Sequence, residues 1–153
     1  MRSRRRAREL ALRILYAFEL SQNPLPGIID DLLIKRSKNQ QLYDFCTTLI
    51  FRTNDHAIEF DEMIKKKALN WDFNRIAIID RIILRLAMCE FLHFEDIPPK
   101  VTIDEAIEIS KKYSTEKSGK FINGILDSVL GEWRTDHRLK KAGRGLIDIS
   151  RKS

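Results

Sequence analysis

The stretch IAIIDRIILRLAM, residues 76–88, is apolar at every position except Asp80, Arg81 and Arg85. A helix that is apolar on most of its sides is typical of a central element surrounded by other helices. This stretch lies within a longer segment, from Ile28 to Ile97, that contains neither proline nor glycine. Because an all-β domain needs turn residues at short intervals, the segment predicts an all-α fold.

Apolar residues continue at helical spacing on both sides of the central stretch. The expected helices cover residues 3–21, a short segment after Pro24, residues 38–69 with a kink near Asn54, residues 76–88, a segment that begins with the T-x-x-E capping pattern of Thr102 and Glu105, and a last segment that ends at residue 133. Gly124 is expected at a close contact between helices rather than in a hairpin turn. Residues 134–153 show no such pattern and are predicted to be a basic, disordered tail.

Positive charge is concentrated at the two ends of the chain. The net charge is +6, but residues 1–13 and residues 134–153 each carry +5, and the residues between them carry −4. Basic ends on a mildly acidic body indicate a polyanionic partner, with nucleic acid as the first candidate. For the C-terminal run alone, a tail that only improves solubility is an equally good interpretation.

The N-terminal arginines are harder to attribute to solubility, because they lie at the start of a predicted helix. The helix dipole disfavours each cation there by roughly 0.3–1 kcal/mol, so helix stability does not explain them. Helical geometry places one set of residues on the face opposite the predicted core: Arg5, Arg6, Glu9, Leu12, Arg13 and Tyr16. An exposed ring among cations suits single-stranded RNA, whose bases stack and whose phosphates pair with arginine. The alternative is that Tyr16 covers a neighbouring helix and the arginines are merely solvated.

No motif in the chain indicates an active site, a metal site or a cofactor. His56, His93 and His137 have no ligand-like spacing among themselves or with the two cysteines, and each is expected at the surface or at a helix end. No apolar run is long enough to span a bilayer, and the N-terminus does not read as a secretory signal. The two lone cysteines suit a reducing cytosol. We therefore expect a non-enzymatic cytoplasmic protein.

Four blocks of the sequence, in the same order, resemble the NusB transcription antitermination family. They are RRRARELALRILYAFELSQ (4–22), NWDFNRIAIIDRIILRLAMCEFL (70–92), DIPPKVTIDEAIEISKKY (96–113) and SGKFINGILD (118–127). The resemblance covers roughly residues 3–133 and leaves out the tail. It implies an all-helical fold of about seven helices in two small bundles, together with an RNA-binding role that needs no catalysis.

The resemblance also implies partners in the bacterial cytoplasm. Members of this family bind the boxA element of nascent transcripts, notably ribosomal RNA precursors. They do so jointly with NusE, which is also a protein of the small ribosomal subunit. The complex then joins other Nus factors on RNA polymerase and suppresses termination. The chain is accordingly expected to bind single-stranded boxA RNA and NusE directly, and the polymerase indirectly.

The resemblance assigns roles to particular residues. The family's arginine-rich N-terminus matches Arg4, Arg5, Arg6 and Arg8, its helix-1 tyrosine matches Tyr16, and its KFVNG-like block matches Lys120, Phe121, Asn123 and Gly124. With Arg13 from the same helix face, these residues form the predicted RNA site. Lys117 stands where relatives can have an acidic residue, and a lysine should favour RNA. The NusE-facing surface is implied on the later helices, with Arg81, Arg85 and Glu90 as weaker candidates.

Two alternatives remain open at this point. The same domain type is found fused to RNA cytosine methyltransferases, but 153 residues leave no room for a catalytic domain beside it. The second alternative is an interaction module that self-associates, because a homodimer could cover the RNA surface. The size of the protein in solution, with and without a boxA-like RNA, distinguishes this alternative from the RNA-binding function.

Overall fold

The protein is described here from a computed structural model that covers residues 2–34 and 39–147, without the side chains of residues 2, 3 and 34. Within these ranges it contains seven α-helices and no strand, so the all-α prediction is confirmed. The helices are α1 (Arg2–Ser21), α2 (Leu25–Ile29), α3 (Gln40–Asp55), α4 (Ala57–Lys67), α5 (Ile78–His93), α6 (Pro99–Tyr113) and α7 (Glu116–Thr135). A π-helical turn extends α2 over Asp30–Ile34, and 3₁₀ turns cover Phe73–Arg75 and Gly143–Leu146.

Helix α5 is the centre of the fold, as its apolar sequence predicts. It packs against two groups of helices: α1 and α3, which also contact each other, and α4, α6 and α7, in which α7 contacts both of the others. Leu84, Met88 and Phe91 of α5 are almost completely buried in a hydrophobic core that both groups of helices share. The two small bundles therefore meet along one helix. No helix in the described ranges is long and apolar enough to cross a membrane.

The predicted helix over residues 38–69 is interrupted in the structure. Helix α3 begins after Asn39, whose side chain accepts hydrogen bonds from the backbone N–H groups of Gln41 and Leu42. The expected kink near Asn54 is a complete break at His56, which ends α3 and precedes α4. The His56 ring stacks on that of His93, with 4.6 Å between the ring centroids.

The stacked histidines predict a pH-dependent stability. Burial, with the neighbouring His56 and Arg52, lowers the pKa of His93 below its ordinary value of 6.5. The unfolded chain then takes up this proton more readily than the folded one, so the contribution of His93 to stability is complete above about pH 6.5 and is lost as the pH falls through this range. We expect urea unfolding at pH 5–8 to show this loss, and His93→Phe, which keeps a ring, to reduce it. An unchanged pH dependence in the variant would contradict the assignment.

The predicted capping box at Thr102 and Glu105 is wrong. Helix α6 begins three residues earlier, at Pro99, with Pro98 as the residue before its first turn. Proline is favoured at the first helical position because its backbone is already in a helical conformation and its missing N–H is not needed there. Thr102 and Glu105 are therefore buried within the helix, where their side chains bind Glu90 of α5 and Arg5 of α1.

The close contact between helices occurs at a different glycine from the one predicted. Gly124 is exposed, and a Cβ atom there would meet no other atom within 4 Å. Gly119 is buried one turn earlier on α7, where a Cβ would lie 3.6 Å from the Ile107 side chain and 3.7 Å from that of Ser110. The contact joins α6 to α7. Its position depends on the register of the two helices, which the sequence pattern alone did not show.

The chain continues to pack on the domain beyond residue 134, the predicted start of a disordered tail. Helix α7 ends in a Schellman motif, in which the N–H of Arg138 donates to the carbonyl of Trp133 (2.8 Å) and His137 adopts a left-handed conformation with φ of 57°. This turn directs the segment towards the end of α5. There Lys141 Nζ donates to the carbonyl oxygens of Glu90 and Phe94, at 2.9 and 2.7 Å. Residues 148–153 of the predicted tail lie outside the described residues.

Candidate nucleic-acid interface

The arginines at the start of α1 differ in what they contact. Arg4 pairs with Asp96 (Nη2–Oδ2 3.0 Å), and Arg5 forms two hydrogen bonds to the carboxylate of Glu105, at 2.9 and 2.7 Å. The hydrogen bonds from Arg5 lower the pKa of Glu105, and Glu105 in turn raises the pKa of Arg5. Both arginines remain about half exposed, but their charges already have partners within the protein.

Arg8 is buried, which corrects its predicted role in RNA binding. Its Nε and Nη2 atoms donate to the two carboxylate oxygens of Glu90, at 2.7 and 3.0 Å, and Thr102 Oγ1 donates to the same carboxylate at 2.9 Å. Burial disfavours the guanidinium cation, but the charge and hydrogen bonds of Glu90 outweigh it and raise the pKa of Arg8. Arg8 therefore joins α1, α5 and α6 inside the domain and does not reach the surface.

Three exposed residues of α1 are available to a ligand: Arg6, Arg13 and Tyr16. Arg6 and Arg13 are exposed and form no ion pair with the residues that the structure describes. The Tyr16 side chain is 36% exposed. A seven-residue separation brings Arg6 and Arg13 to nearly the same side of the helix, with Tyr16 one turn beyond Arg13. Leu12, predicted on this face, is instead buried (2% exposed), because α1 packs on both α3 and α5.

The end of α6 extends this surface. Lys112 Nζ and the Tyr113 hydroxyl both donate to Glu9 Oε1 of α1, at 2.7 and 2.8 Å. Burial alone would raise the pKa of Glu9, but the hydrogen bonds from Lys112 and Tyr113 lower it. Glu9 thus fixes the end of α6 beside Arg13. We refer to Arg6, Arg13, Tyr16 and Lys112 as the α1 surface.

The start of α7 follows directly after the end of α6. Thr115 caps α7 by accepting from the N–H of Ser118, and Ser118 Oγ donates to Asp80 Oδ2 of α5 at 2.9 Å. These bonds fix a turn of helix that exposes Lys117, Lys120 and Asn123. Phe121 is half-buried and its ring makes an edge contact with that of Trp71, with 5.2 Å between centroids.

The residues predicted to face NusE fall into different environments. The Arg81 guanidinium lies over Phe73, 4.9 Å from the ring centroid, and is half-buried. Arg85 is bound by two hydrogen bonds to Asp61 and has 14% of its side chain exposed. Glu90 was predicted at a partner surface, but it is only 2% exposed and binds Arg8 inside the domain.

Comparison with known proteins places these features in a family. The NusB family matches residues 5–131 of the chain. The chain belongs to the NusB family. A transcription antitermination protein NusB from Salinibacter ruber is 45% identical to it over 150 residues, which cover 97% of this chain and 94% of the relative.

Solved structures agree with the NusB assignment. NusB of T. maritima superimposes with a TM-score of 0.79 at 38% identity, covering 84% of this chain and 91% of that one. A chain from the crystal structure of the antitermination factors NusB and NusE in complex with dsRNA superimposes with a TM-score of 0.78 at 28% identity, covering 86% of this chain and 98% of that one. The match to the NusB family ends before the segment that follows α7.

Three residues near the predicted site were missed by the sequence analysis of this NusB-family chain. Trp71 is 58% exposed beside Phe121, and Lys112 and Tyr113 hold Glu9. A tryptophan in a polar connection between helices was the available signal for Trp71. The spacing of Tyr113 favours the inner face of α6. Its hydroxyl group, which needs a polar partner, was the indication of a position at the edge of the core.

Proposed function

We propose that the protein is a transcription antitermination factor that binds the boxA RNA of nascent ribosomal transcripts together with NusE. In this role it joins other Nus factors on RNA polymerase in the bacterial cytoplasm. The observation that carries the proposal is the division of the α1 arginines. Arg4, Arg5 and Arg8 are neutralised by acidic residues of the same protein, whereas Arg6 and Arg13 are exposed beside Tyr16 without an acidic partner among the described residues.

Each part of the α1 surface suits a different part of an RNA strand. Arg6 and Arg13 offer unpaired cations for phosphates, which position the strand without reading its sequence, whereas Lys112 is paired with Glu9. The ring of Tyr16 offers a face on which an unpaired base can stack. Lys117, Lys120 and Asn123 at the start of α7 continue the polar surface, and Phe121 with Trp71 forms a second aromatic group. The supporting structure is that of the antitermination factors NusB and NusE in complex with dsRNA.

The exposed arginines should account for part of the salt dependence of RNA binding. Each phosphate neutralised on a single strand contributes roughly −0.7 to the slope of log affinity against log salt concentration. We expect Arg6→Ala or Arg13→Ala to weaken binding to all RNAs and to flatten the slope by about this amount. Fluorescence anisotropy over a salt series measures it. Lys66→Ala, which removes an exposed α4 cation paired with Glu132, is the matched control and should keep the full slope.

NusE should tighten RNA binding by this chain. The residues between the two basic ends carry −4, and a basic ribosomal protein would neutralise part of that charge and add contacts of its own. We expect the heterodimer to bind boxA RNA more tightly than the chain alone, in titrations at one fixed salt concentration. Equal affinities with and without NusE would argue against the joint site.

Self-association through α1 is the second candidate function, and one observation favours it. Leu20 is 57% exposed one turn beyond Tyr16, so α1 has two exposed apolar side chains on neighbouring turns. A homodimer that buried them would also cover Arg13. Light scattering with and without boxA RNA separates the two functions. An RNA-binding monomer has the mass of one chain alone and of one chain plus RNA when RNA is added. A self-associating module has the mass of a dimer, which RNA disrupts.

A further inference from the structure

The two basic ends of the chain meet at the connection between α5 and α6. Arg4, near the N-terminus, pairs with Asp96 in this connection at 3.0 Å. The N–H of Ala142, in the segment after α7, donates to the carbonyl of Glu95 at 3.0 Å. Two regions that each carry +5 and are separated by most of the sequence are therefore neighbours in the folded protein.

A cleft of about 630 Å³ lies beside this junction. Its lining includes Arg52 from α3, Arg138 and Lys140 from the segment after α7, and His93 from the end of α5. Glu95 is the one carboxylate in this lining and Glu59 pairs with Arg138 from outside it, so three permanent cations face two carboxylates and the net charge is +1. A concave surface with this excess of positive charge concentrates anions.

Two of the cations are held in place and the third is free to respond to a ligand. Arg52 Nη1 donates to the carbonyl of His93 at 2.8 Å, and Arg138 Nη2 donates to Glu59 at 2.6 Å. Each guanidinium uses only part of its donors in these bonds. Lys140 is exposed and has no ion pair within the described residues.

A row of contacts between two arginines and two phenylalanine rings connects the cleft to the N-terminus of α1. The Arg4 guanidinium lies 4.8 Å from the centre of the Phe45 ring. The Phe45 and Phe94 rings are 5.3 Å apart, and the Arg52 guanidinium lies 5.6 Å from the centre of the Phe94 ring. The Phe94 ring is buried and the Phe45 ring is half-buried, so the pair belongs to the core, and only the Arg4 and Arg52 cations at its two ends are offered to a strand.

We propose that this cleft is a second phosphate-binding site, which holds backbone phosphates of the RNA strand that binds the α1 surface. The inference rests on the proposed RNA-binding function and extends it to residues beyond the part of the chain that the NusB family matches. Its ligand chemistry is the phosphate group. The row from Arg4 to Arg52 favours phosphates that belong to a strand over a free phosphate ion.

The test compares a short RNA, the boxA element alone, with the same RNA extended by about eight nucleotides at either end. We expect an extension at one end to tighten binding by the wild-type protein by about fivefold or more at low salt, because added phosphates release more counterions. Lys140→Glu should abolish this gain and change the affinity for the short RNA by less than about twofold, since the α1 surface is intact. Arg144→Glu is the matched control, because Arg144 is an exposed cation of the same segment that does not line the cleft.

A second variant tests the placement of the segment rather than its charge. A Cβ atom at Gly145 would overlap the carbonyl oxygen of Glu95, so Gly145→Ala should displace the segment from the end of α5. The same loss of the extension gain is expected, with thermal melting to confirm that the helical domain remains folded.

The outcomes distinguish this inference from the proposed function. If wild-type protein does not bind the short RNA, the proposed function fails. If it binds the short RNA but no extension tightens binding, or if Lys140→Glu and Arg144→Glu behave alike, only the second site is wrong. A titration with inorganic phosphate tests whether the cleft binds a free phosphate ion instead of RNA. If phosphate perturbs the NMR signals of His93 while extending the RNA gives no gain in affinity, the cleft is a site for free phosphate and the inference is overturned.

Discussion

Arg8→Ala is expected to lower the free energy of unfolding by about 3–5 kcal/mol, the range for removing one partner of a buried ion pair. The Arg8 side chain is 6% exposed and that of Glu90 2% exposed, so the substitution leaves a buried carboxylate without its cation. Thr102 then provides the one remaining side-chain hydrogen bond to Glu90 among the described residues. Because native domains are stable by only about 5–15 kcal/mol, this loss is a large part of the total. Urea denaturation followed by circular dichroism measures it.

Two comparisons make the Arg8 prediction specific. Arg6→Ala removes an exposed arginine two residues before Arg8 in α1 and should change the free energy of unfolding by no more than about 0.5 kcal/mol. Replacing Arg8 by Met and Glu90 by Leu together should recover much of the loss, since an apolar pair of similar size leaves no buried charge. A loss for Arg8→Ala as small as that for Arg6→Ala would show that the buried pair does not hold α1 on α5.

Tyr16→Ala is expected to weaken RNA binding by roughly 1–3 kcal/mol if a base stacks on the ring, which corresponds to about a 5- to 150-fold change in dissociation constant. The ring is 36% exposed and lies one turn beyond Arg13. Because Tyr16 carries no charge, the salt slope should stay nearly unchanged, in contrast to Arg6→Ala and Arg13→Ala. Salt titrations of the three variants therefore separate stacking from phosphate contacts.

Two control variants test whether the effect of Tyr16→Ala comes from losing the ring at this position. Tyr16→Phe keeps the stacking face and should bind RNA nearly as well as the wild type. Phe51→Ala removes another exposed ring, 41% exposed on α3, and should leave RNA affinity unchanged. Thermal melting shows whether each variant is folded. Normal RNA binding by folded Tyr16→Ala would assign Tyr16 to covering a neighbouring helix instead.

The sequence by itself determined the class of the fold and the position of its central helix. Both depend on local information, since the absence of proline and glycine between Ile28 and Ile97 permits long helices and the apolar run at residues 76–88 requires burial on most sides. The limits of α1 followed in the same way, and the resemblance carried by four ordered blocks agreed with the family match over residues 5–131.

The helix ends were decided less completely by sequence. Thr102 and Glu105 have the spacing of a capping box, whereas Pro99, three residues before Thr102, is the local signal for the earlier helix start that the structure has. The difference arises because Glu90 and Arg5, which are distant in sequence, provide better partners than the backbone at a helix start. Local patterns therefore suggested a cap where tertiary contacts supplied an ion-pair network.

Only the tertiary structure decided which arginines of α1 are available to a ligand. Helical spacing placed Arg6, but not Arg8, on the face opposite the predicted core, whereas the family resemblance implied the same RNA-binding role for both. A rotation of about 200° between them turns Arg8 into the domain, towards Glu90 of α5, and leaves Arg6 in solvent. The position of an acidic partner on another helix is a property of helix packing. The same is true of the junction beside the cleft, where packing brings Arg4 to Asp96 and the segment after α7 to Glu95.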